Sequence, residues 1–453
     1  MGILRKHVVQ RISRLTQTQF IAYGFIGMIL LGSLLLMLPI SSRDGTVTPF
    51  LNCLFTATSA SCVTGLVMYD TWLHWTVFGQ LVILALIQIG GLGFVTIGVF
   101  LAMVLRRRIG LKERGLMQES VNALQIGGMV TLAKKIILGT ALFEGAGAVL
   151  LAIRFIPEFG VLKGIYFGIF HSVSAFCNGG FDLLGSQGAY SSLVNYYDDW
   201  LVNLVIMGLI VVGGIGFVVW DDVSRKGLHF RRYKLHTKLV LLMTLILITL
   251  PAFLFYLIER DALFAGMSPS GKFLSSLFNS VTARTAGFNT TDTAGLTDAS
   301  KLLTSILMMI GGSPGSTAGG IKTTTIAVLF LYVKASVQRS YGVNVFGRRL
   351  DEDAIKRASA FAVLNVSLVL AVTVYIMAAQ GLPMADVLFE SCSAMGTVGM
   401  TTGITRDLSP VSRFLIICLM YSGRVGGLSF ALSFTEKKRI APVRQPEEQI
   451  MIG

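Results

Sequence analysis

The chain has 453 residues, 53% of them hydrophobic and only 14% charged, which excludes a soluble globular protein because its polar residues are too few to cover a surface. Its formal charge of +14 does not imply a nucleic-acid partner, since the basic residues fall in short clusters between apolar runs, as cytoplasmic loops of membrane proteins do. Cys53, Cys62, Cys177, Cys392 and Cys418 sit inside apolar stretches without metal-ligand spacing, so they form no disulfide framework and are expected to be small packing residues.

Arg5, Lys6, Arg11 and Arg14 make residues 1–17 a basic, amphipathic segment expected on the cytoplasmic surface. Phe20 to Pro39 is long enough to cross the membrane and reads as a span rather than a cleaved signal peptide. Phe50 to Ser61 is apolar but too short to span, so it is expected to enter halfway and stop. The chain then returns through Val77 to Leu105, containing GGLGF (Gly90 to Phe94), and exits at Arg106, Arg107, Arg108, Lys112 and Arg114, on the cytoplasmic side by the positive-inside rule.

The same order is expected three more times. Spans Leu132 to Ile156 and Trp200 to Trp220 flank a short helix from Ile165 to Phe176. Spans Lys238 to Ile258 and Leu302 to Val333 flank Phe273 to Ala283, and spans Ala358 to Ala379 and Val411 to Phe434 flank Met384 to Met395. Basic clusters follow each unit: Arg225 to Lys234, Lys334 to Arg357, and Lys437 to Arg444. The units are 18–115, 116–236, 237–350 and 351–435, with a tail at 436–453. The expected fold is an all-α, multi-pass protein of the cell membrane with both termini cytoplasmic, built from four repeats of spanning helix, pore helix and spanning helix in pseudo-fourfold symmetry around one central pore.

Each short helix runs into one motif: CVTGL (Cys62 to Leu66), CNGGF (Cys177 to Phe181), RTAGF (Arg284 to Phe288) and GTVGM (Gly396 to Met400). Their glycines recur about every 110 residues, the mark of one module used four times. A helix that stops inside the membrane leaves its last carbonyls unpaired and carries partial negative charge there. Four such ends aimed at one axis favour a cation, and glycine lets the following segment turn its carbonyls inward. The expected ion-lining segments are Val63, Thr64 and Gly65; Asn178, Gly179 and Gly180; Thr285, Ala286 and Gly287; and Thr397, Val398 and Gly399. Leu66, Phe181, Phe288 and Met400 are expected to wedge these segments against the surrounding protein. Taken singly, each glycine is equally a helix stop in a packed hairpin; four copies, each behind a helix too short to cross, favour the ion-lining reading.

The second span of the third unit contains IGGSPGSTAGGIKTTT, Ile310 to Thr325. Gly311, Gly312, Ser313, Pro314, Gly315, Ser316, Thr317, Ala318, Gly319 and Gly320 cannot hold a helix, and irregular backbone in a membrane must be buried in protein or line a cavity. The segment is expected to be a movable loop obstructing the pore below the glycines; the alternative is a rigid break that lets helices pack. It fails the phosphate-loop pattern by the inserted Ile321, and no strand precedes it.

Arg424 lies mid-span in SGRVGG, where an unpaired cation costs roughly 2.5 to 3.5 kcal/mol on insertion scales. It is expected to hydrogen-bond the loop carbonyls and repel cations while the loop is closed, or else to pair with a buried acid. Lys322 either reinforces that barrier or extends toward the cytoplasm. His171, beside Ser172 and Ser174, together with Glu144, Asp386 and Glu390, reads as packing or solubility, although Glu390 is placed to add negative potential near the glycines. Asp70 and Asp182 are expected to gather cations at the outer mouth.

With VTGL, NGGF, TAGF and TVGMT each behind a half-depth helix, nearly the whole chain resembles the Trk/Ktr/HKT family of potassium uptake proteins, and its start directly at the first repeat is more similar to the bacterial Ktr-type membrane subunit. The resemblance implies potassium held at the filter carbonyls, sodium as a possible activator and a homodimer with one pore per subunit among membrane lipids. It also implies control by a cytosolic RCK-type, KtrA-like nucleotide-binding ring, so that a nucleotide acts only through a partner subunit. Glycine at Gly65 suits potassium, where sodium-transporting relatives carry serine; Gly179 departs from the family, in which alanine is common. Docking of the partner is expected on Arg225 to Lys238 and Lys334 to Arg357, with the terminal EEQIMIG reaching a neighbouring subunit.

Two other classes make different demands. A sodium-coupled secondary transporter working by alternating access calls for inverted repeats, whereas all four units exit on one side. An intramembrane hydrolase needs converging side chains, whereas His7, His74, His171, His229 and His236 are scattered.

Overall fold

The computed structural model describes residues 16–106, 109–120, 127–227, 229–340, 342–426 and 448. The basic segment before residue 16, Arg107 and Arg108, positions 427–434 of the last expected span, and nearly all of the tail with Lys437 to Arg444 lie outside them.

The first unit comprises α1 (Gln17–Met37), α2 (Phe50–Ser61), the single turn α3 (Thr71–His74), α4 (Val77–Leu92) and α5 (Phe94–Val104), with α6 (Leu111–Ser120) leading on. The second comprises α7 (Met129–Phe159), α8 (Val161–Phe176), α9 (Trp200–Gly214) and α10 (Phe217–Lys226). The third has α11 (Leu235–Glu259), α12 (Pro269–Thr282), α13 (Asp298–Met309) and α14 (Thr323–Val337); the fourth has α15 (Glu352–Gln380), α16 (Met384–Gly396) and α17 (Pro410–Val425). The helices α1, α7, α11 and α15 are unbroken and long and apolar enough to cross a membrane.

The helix boundaries follow local chemistry. The second long element of every unit starts behind a polar cap whose side chain accepts a backbone N–H: Thr76, Asp199, Thr297 and Ser409. The short helices begin at proline or glycine, behind Pro49, Gly160 and Pro383 and with Pro269 at the first helical position. Antiparallel α7 and α8 approach closely because Gly164 and Gly168 lack side chains; a Cβ on Gly168 would stand 2.7 Å from Ala148 O.

Two spans expected to be continuous are broken. Val77 to Leu105 divides at Gly93 (φ +80°) and Trp200 to Trp220 divides at Gly216 (φ +97°), and each pair of helices meets at 95°. Leu302 to Val333 divides into α13 and α14 around residues 310–322, as its glycine-rich run predicts, and α17 ends at Gly426 (φ +96°), the last described residue of its expected span. Left-handed backbone at glycine is the common cause in three of the four, since such a residue cannot continue a right-handed helix.

A two-residue hairpin, β1 (Asn344–Val345) and β2 (Arg348–Arg349), was not foreseen within the basic connection after the third unit. Phe346 and Gly347 both have positive φ, the requirement of the tight turn that joins such strands.

Candidate functional site

The four motif glycines close a ring in chain order. A Cβ on Gly65 would stand 2.7 Å from Gly179 O and 3.1 Å from Gly180 Cα; one on Gly180 would stand 2.7 Å from Ala286 O and 3.0 Å from Gly287 Cα. One on Gly287 would collide with Val398 O and stand 3.3 Å from Gly399 Cα, and one on Gly399 would collide with Thr64 O and stand 2.8 Å from Gly65 Cα. The carbonyls of Thr64, Gly179, Ala286 and Val398 therefore sit at the same place in each copy, against the glycine of the preceding copy round the ring. All four glycines have positive φ, as do Val63 (+57°), Asn178 (+60°), Thr285 (+72°) and Thr397 (+51°) two residues earlier, with negative φ between. This alternation turns successive carbonyls to the same side, whereas a strand would send them to opposite sides. Left-handed backbone at a β-branched residue costs on the order of 1–3 kcal/mol.

The strained segments are held from behind. Thr64 N donates to Ser59 O (2.7 Å) and Gly65 N to Ser59 Oγ (3.0 Å), and Val398 N and Gly399 N make the same pair of bonds to Ser393 at 2.9 and 3.1 Å. Gly179 N donates to Ser174 O at 2.6 Å. In the third copy Ala286 N donates to Thr282 O, and Thr282 Oγ1 donates to Phe288 O at 2.6 Å. Sequence reasoning missed these serines, although Ser-Ala precedes the glycine at the same distance in three motifs. Leu66, Phe181, Phe288 and Met400 are all buried, as expected of wedges.

The loop between α13 and α14 lies against the other units. Its neck is closed by Gly311 N donating to Ile321 O (2.8 Å) and Thr323 N to Gly312 O (3.1 Å). Ser313 N donates to Gly214 O, Thr317 N to Gly213 O, and Phe217 N to Gly315 O at 2.9, 3.3 and 2.7 Å. Thr317 Oγ1 donates to Phe176 O, the end of α8, at 3.1 Å. Gly319 and Gly320 pass so close to Thr397 and Gly396 that a side chain on Gly319 would collide with Thr397 Oγ1. The loop is therefore pinned between the ends of α8, α9 and α16.

Arg424 reaches this loop, but its grip is wider than the sequence suggests. One guanidinium nitrogen donates to Thr317 O, while the other donates to Gly90 O (2.5 Å) and Gly91 O (2.9 Å) at the end of α4. Among the described residues no carboxylate pairs with it, and backbone carbonyls, two at the end of α4 and one in the loop, supply the negative charge instead. Lys322 folds back, donating to Ala318 O (2.7 Å) and Gly319 O (3.4 Å). A cavity of about 450 Å³ is lined by Arg424, Lys322, Pro314, Gly320, Arg357 and Glu119, among others.

A further set of glycines, Gly90, Gly213 and Gly423, touches the last carbonyls of the half-depth helices: a Cβ on any of them would collide with Ser61 O, Phe176 O or Met395 O respectively. They were legible only as GG and SG pairs in apolar runs.

The remaining titratable residues are mostly committed to structure. Asp70 caps α3 through Trp72 N and Leu73 N and also accepts Tyr190 N at 2.9 Å. Asp182 accepts Leu184 N, and burial together with the Asp70 carboxylate pushes its pKa up to about 7. Glu390 accepts Thr401 Oγ1 (2.6 Å) and Thr405 Oγ1 (2.5 Å), tying α16 to the segment beyond Gly399. His171 Nε2 accepts Leu183 N, so Nδ1–H donates to Phe167 O at 2.7 Å. Asp386 pairs with Lys301 at 3.0 Å, and Glu144 accepts Gln88 Nε2 at 3.1 Å. The five cysteines are free, and Cys418 alone among them is not fully buried.

Comparison with known proteins agrees with this architecture. The solved potassium transporter TrkH from Vibrio parahaemolyticus superposes with a TM-score of 0.73 over 92% of this chain and 85% of its own, at 19% identity, a likeness of fold. The chain is 39% identical to the potassium/sodium uptake protein NtpJ of Enterococcus hirae over the full length of both, and 38% identical to the Ktr system potassium uptake protein B of Bacillus subtilis over 99% of this chain and 100% of that one. The corresponding protein B of Vibrio alginolyticus is 34% identical over 96% of this chain and 95% of its own. Since the family model described as "TrkH: Cation transport protein" also matches residues 3–440, this chain belongs to the TrkH family of cation transport proteins.

Proposed function

We propose that this chain carries potassium inward across the cell membrane through a pore in which the four glycine segments form a pseudo-fourfold selectivity filter. The observation that carries this is the ring: four carbonyls, from Thr64, Gly179, Ala286 and Val398, each packed against the glycine of the preceding copy. Fixed carbonyl dipoles replace a dehydrated cation's water, and the unpaired ends of α2, α8, α12 and α16 add negative potential. One glycine per copy provides fewer coordinating layers than a long run would, so discrimination between potassium and sodium is limited; the name of the Enterococcus relative, which includes both ions, is consistent with that.

The loop at residues 310–322 is the gate in this reading, and Arg424 is its latch. The guanidinium lies under the ring while tying the loop to α4, so a cation leaving the filter meets a fixed positive charge until the loop moves. The Bacillus and Vibrio alginolyticus relatives are named as parts of a Ktr system, which supports a cytosolic regulatory partner; the basic connections at Arg225 to Lys238 and Lys334 to Arg357 offer it a docking surface on a homodimer.

Uptake of radioactive rubidium by the purified chain in liposomes tests the reading directly. Uptake that excess potassium suppresses at lower concentration than sodium is expected; absence of uptake with and without a cytosolic partner overturns it.

A further inference from the structure

An apolar groove of about 510 Å³ opens on the second unit between α7 and the broken pair α9 and α10. Its walls include Ile136, Phe143, Val212, Ile215 and Trp220, and Gly139 keeps it open, since a Cβ there would stand 2.9 Å from the Trp220 ring. Along α7 the lining runs from Leu132 to Phe143, roughly 16 Å at 1.5 Å per residue, about half of a hydrocarbon core of about 30 Å. The groove therefore has the length of one leaflet.

Its cytoplasmic end is cationic. Lys135 and Arg225 share Asp221 at 2.6 and 2.9 Å, and Lys226 pairs with Asp222 at 2.7 Å. Lys134 is exposed and makes no ion pair among the described residues. Of these residues Lys135 and Asp221 line the groove itself; Arg225, which shares Asp221, and the exposed Lys134, next to Lys135 on α7, add positive charge near that end. A long apolar slot ending in surplus positive charge matches a phospholipid with an anionic headgroup, and a tryptophan at that depth is typical of the membrane interface.

The groove also backs onto the loop. Phe217 lines both the groove and the cavity beneath the loop, and its N–H donates to Gly315 O at 2.7 Å. Trp220 Nε1 donates to Val212 O across the bend at 3.1 Å.

We propose that this groove binds one anionic phospholipid of the inner leaflet, with its acyl chain against Trp220 and its headgroup phosphate at Lys134 and Lys135, and that its occupancy steadies the α9–α10 bend that holds Gly315. The second part rests on the gating role proposed above; the binding does not.

The test uses the full chain in liposomes and phospholipids brominated midway along their acyl chains. The difference in tryptophan quenching between the native chain and Trp220→Phe isolates Trp220. Brominated phosphatidylglycerol is expected to half-quench this signal at about fivefold lower mole fraction than brominated phosphatidylcholine, and Lys134→Gln with Lys135→Gln is expected to bring the preference under about twofold while the unfolding temperature is unchanged. Equal quenching by the two lipids overturns the headgroup site. Quenching by neither overturns occupancy by lipid and shows that protein covers the groove. Rubidium flux in the same liposomes separates the two parts: a chain that conducts equally with and without phosphatidylglycerol overturns the coupling alone. A chain that conducts in no lipid yet keeps the quenching preference overturns the conduction reading and leaves the lipid site standing.

Discussion

Arg424 illustrates how a single buried charge acquires a role from its surroundings. It has no carboxylate partner among the described residues and is held by carbonyls from the loop and the end of α4, so in the proposed gate no carboxylate neutralises its positive charge. Arg424→Ala is expected to raise rubidium flux several-fold in liposomes, because both the latch and the repulsion are lost; unchanged flux from correctly inserted protein would remove Arg424 from the gate. Gly65 faces the opposite constraint, since a side chain there meets Gly179 O at 2.7 Å. Gly65→Ser is expected to lower the potassium-to-sodium flux ratio about tenfold, equivalent to about 1.4 kcal/mol in relative site energy. Burial and the neighbouring Asp70 carboxylate raise the pKa of Asp182, beyond the second glycine motif, to about 7, so it gains a proton as pH falls through that range. Flux should therefore fall as external pH drops from 8 to 6, and Asp182→Asn should give a flat profile at the lower level.

The elements show which features local sequence encodes. The four short helices were legible in outline: α2 spans the expected Phe50 to Ser61 and α16 ends one residue past its expected limit, whereas α8 and α12 each begin four residues before the expected Ile165 and Phe273. Hydrophobicity also located the four unbroken spans, because each needs about 20 apolar residues wherever it packs. The 95° breaks at Gly93 and Gly216 were missed, since an apolar run containing one glycine scores as a continuous span and the bend depends on what the glycine packs against. The serine supports behind the ring were likewise hidden in an ordinary Ser-Ala pair. Their importance can be measured: Ser59→Ala and Ser393→Ala each leave a buried glycine N–H without its hydroxyl partner, at a cost of about 1–3 kcal/mol. Each substitution should lower cation discrimination without lowering the amount of folded protein in detergent, and unaltered selectivity would assign these hydroxyls to stability only.

At the scale of the whole molecule, the ring is closed by contacts between units far apart in the chain. Gly180 meets Gly287 across the middle of the sequence, and Gly399 returns to Gly65, so neither half contains a complete ring. Residues 1–228 and 229–453 expressed together should restore rubidium uptake to a strain lacking potassium uptake, whereas either half alone should give none. Uptake by one half alone would show that conduction does not need the four-membered ring.

By itself the sequence located the apolar spans of a membrane protein and the four recurring glycine motifs, because hydrophobic run length and motif spacing are properties of the chain in one dimension. Only the tertiary structure decided that Thr64, Gly179, Ala286 and Val398 place their carbonyls in one ring, and that Arg424 joins α4 to the loop. It also placed Phe217 between the loop and a surface groove. Those relations depend on backbone turning at left-handed residues such as Gly65 and Gly216, which pack against neighbours about a hundred residues away, Gly179 and Gly180 for the one and Pro314 for the other.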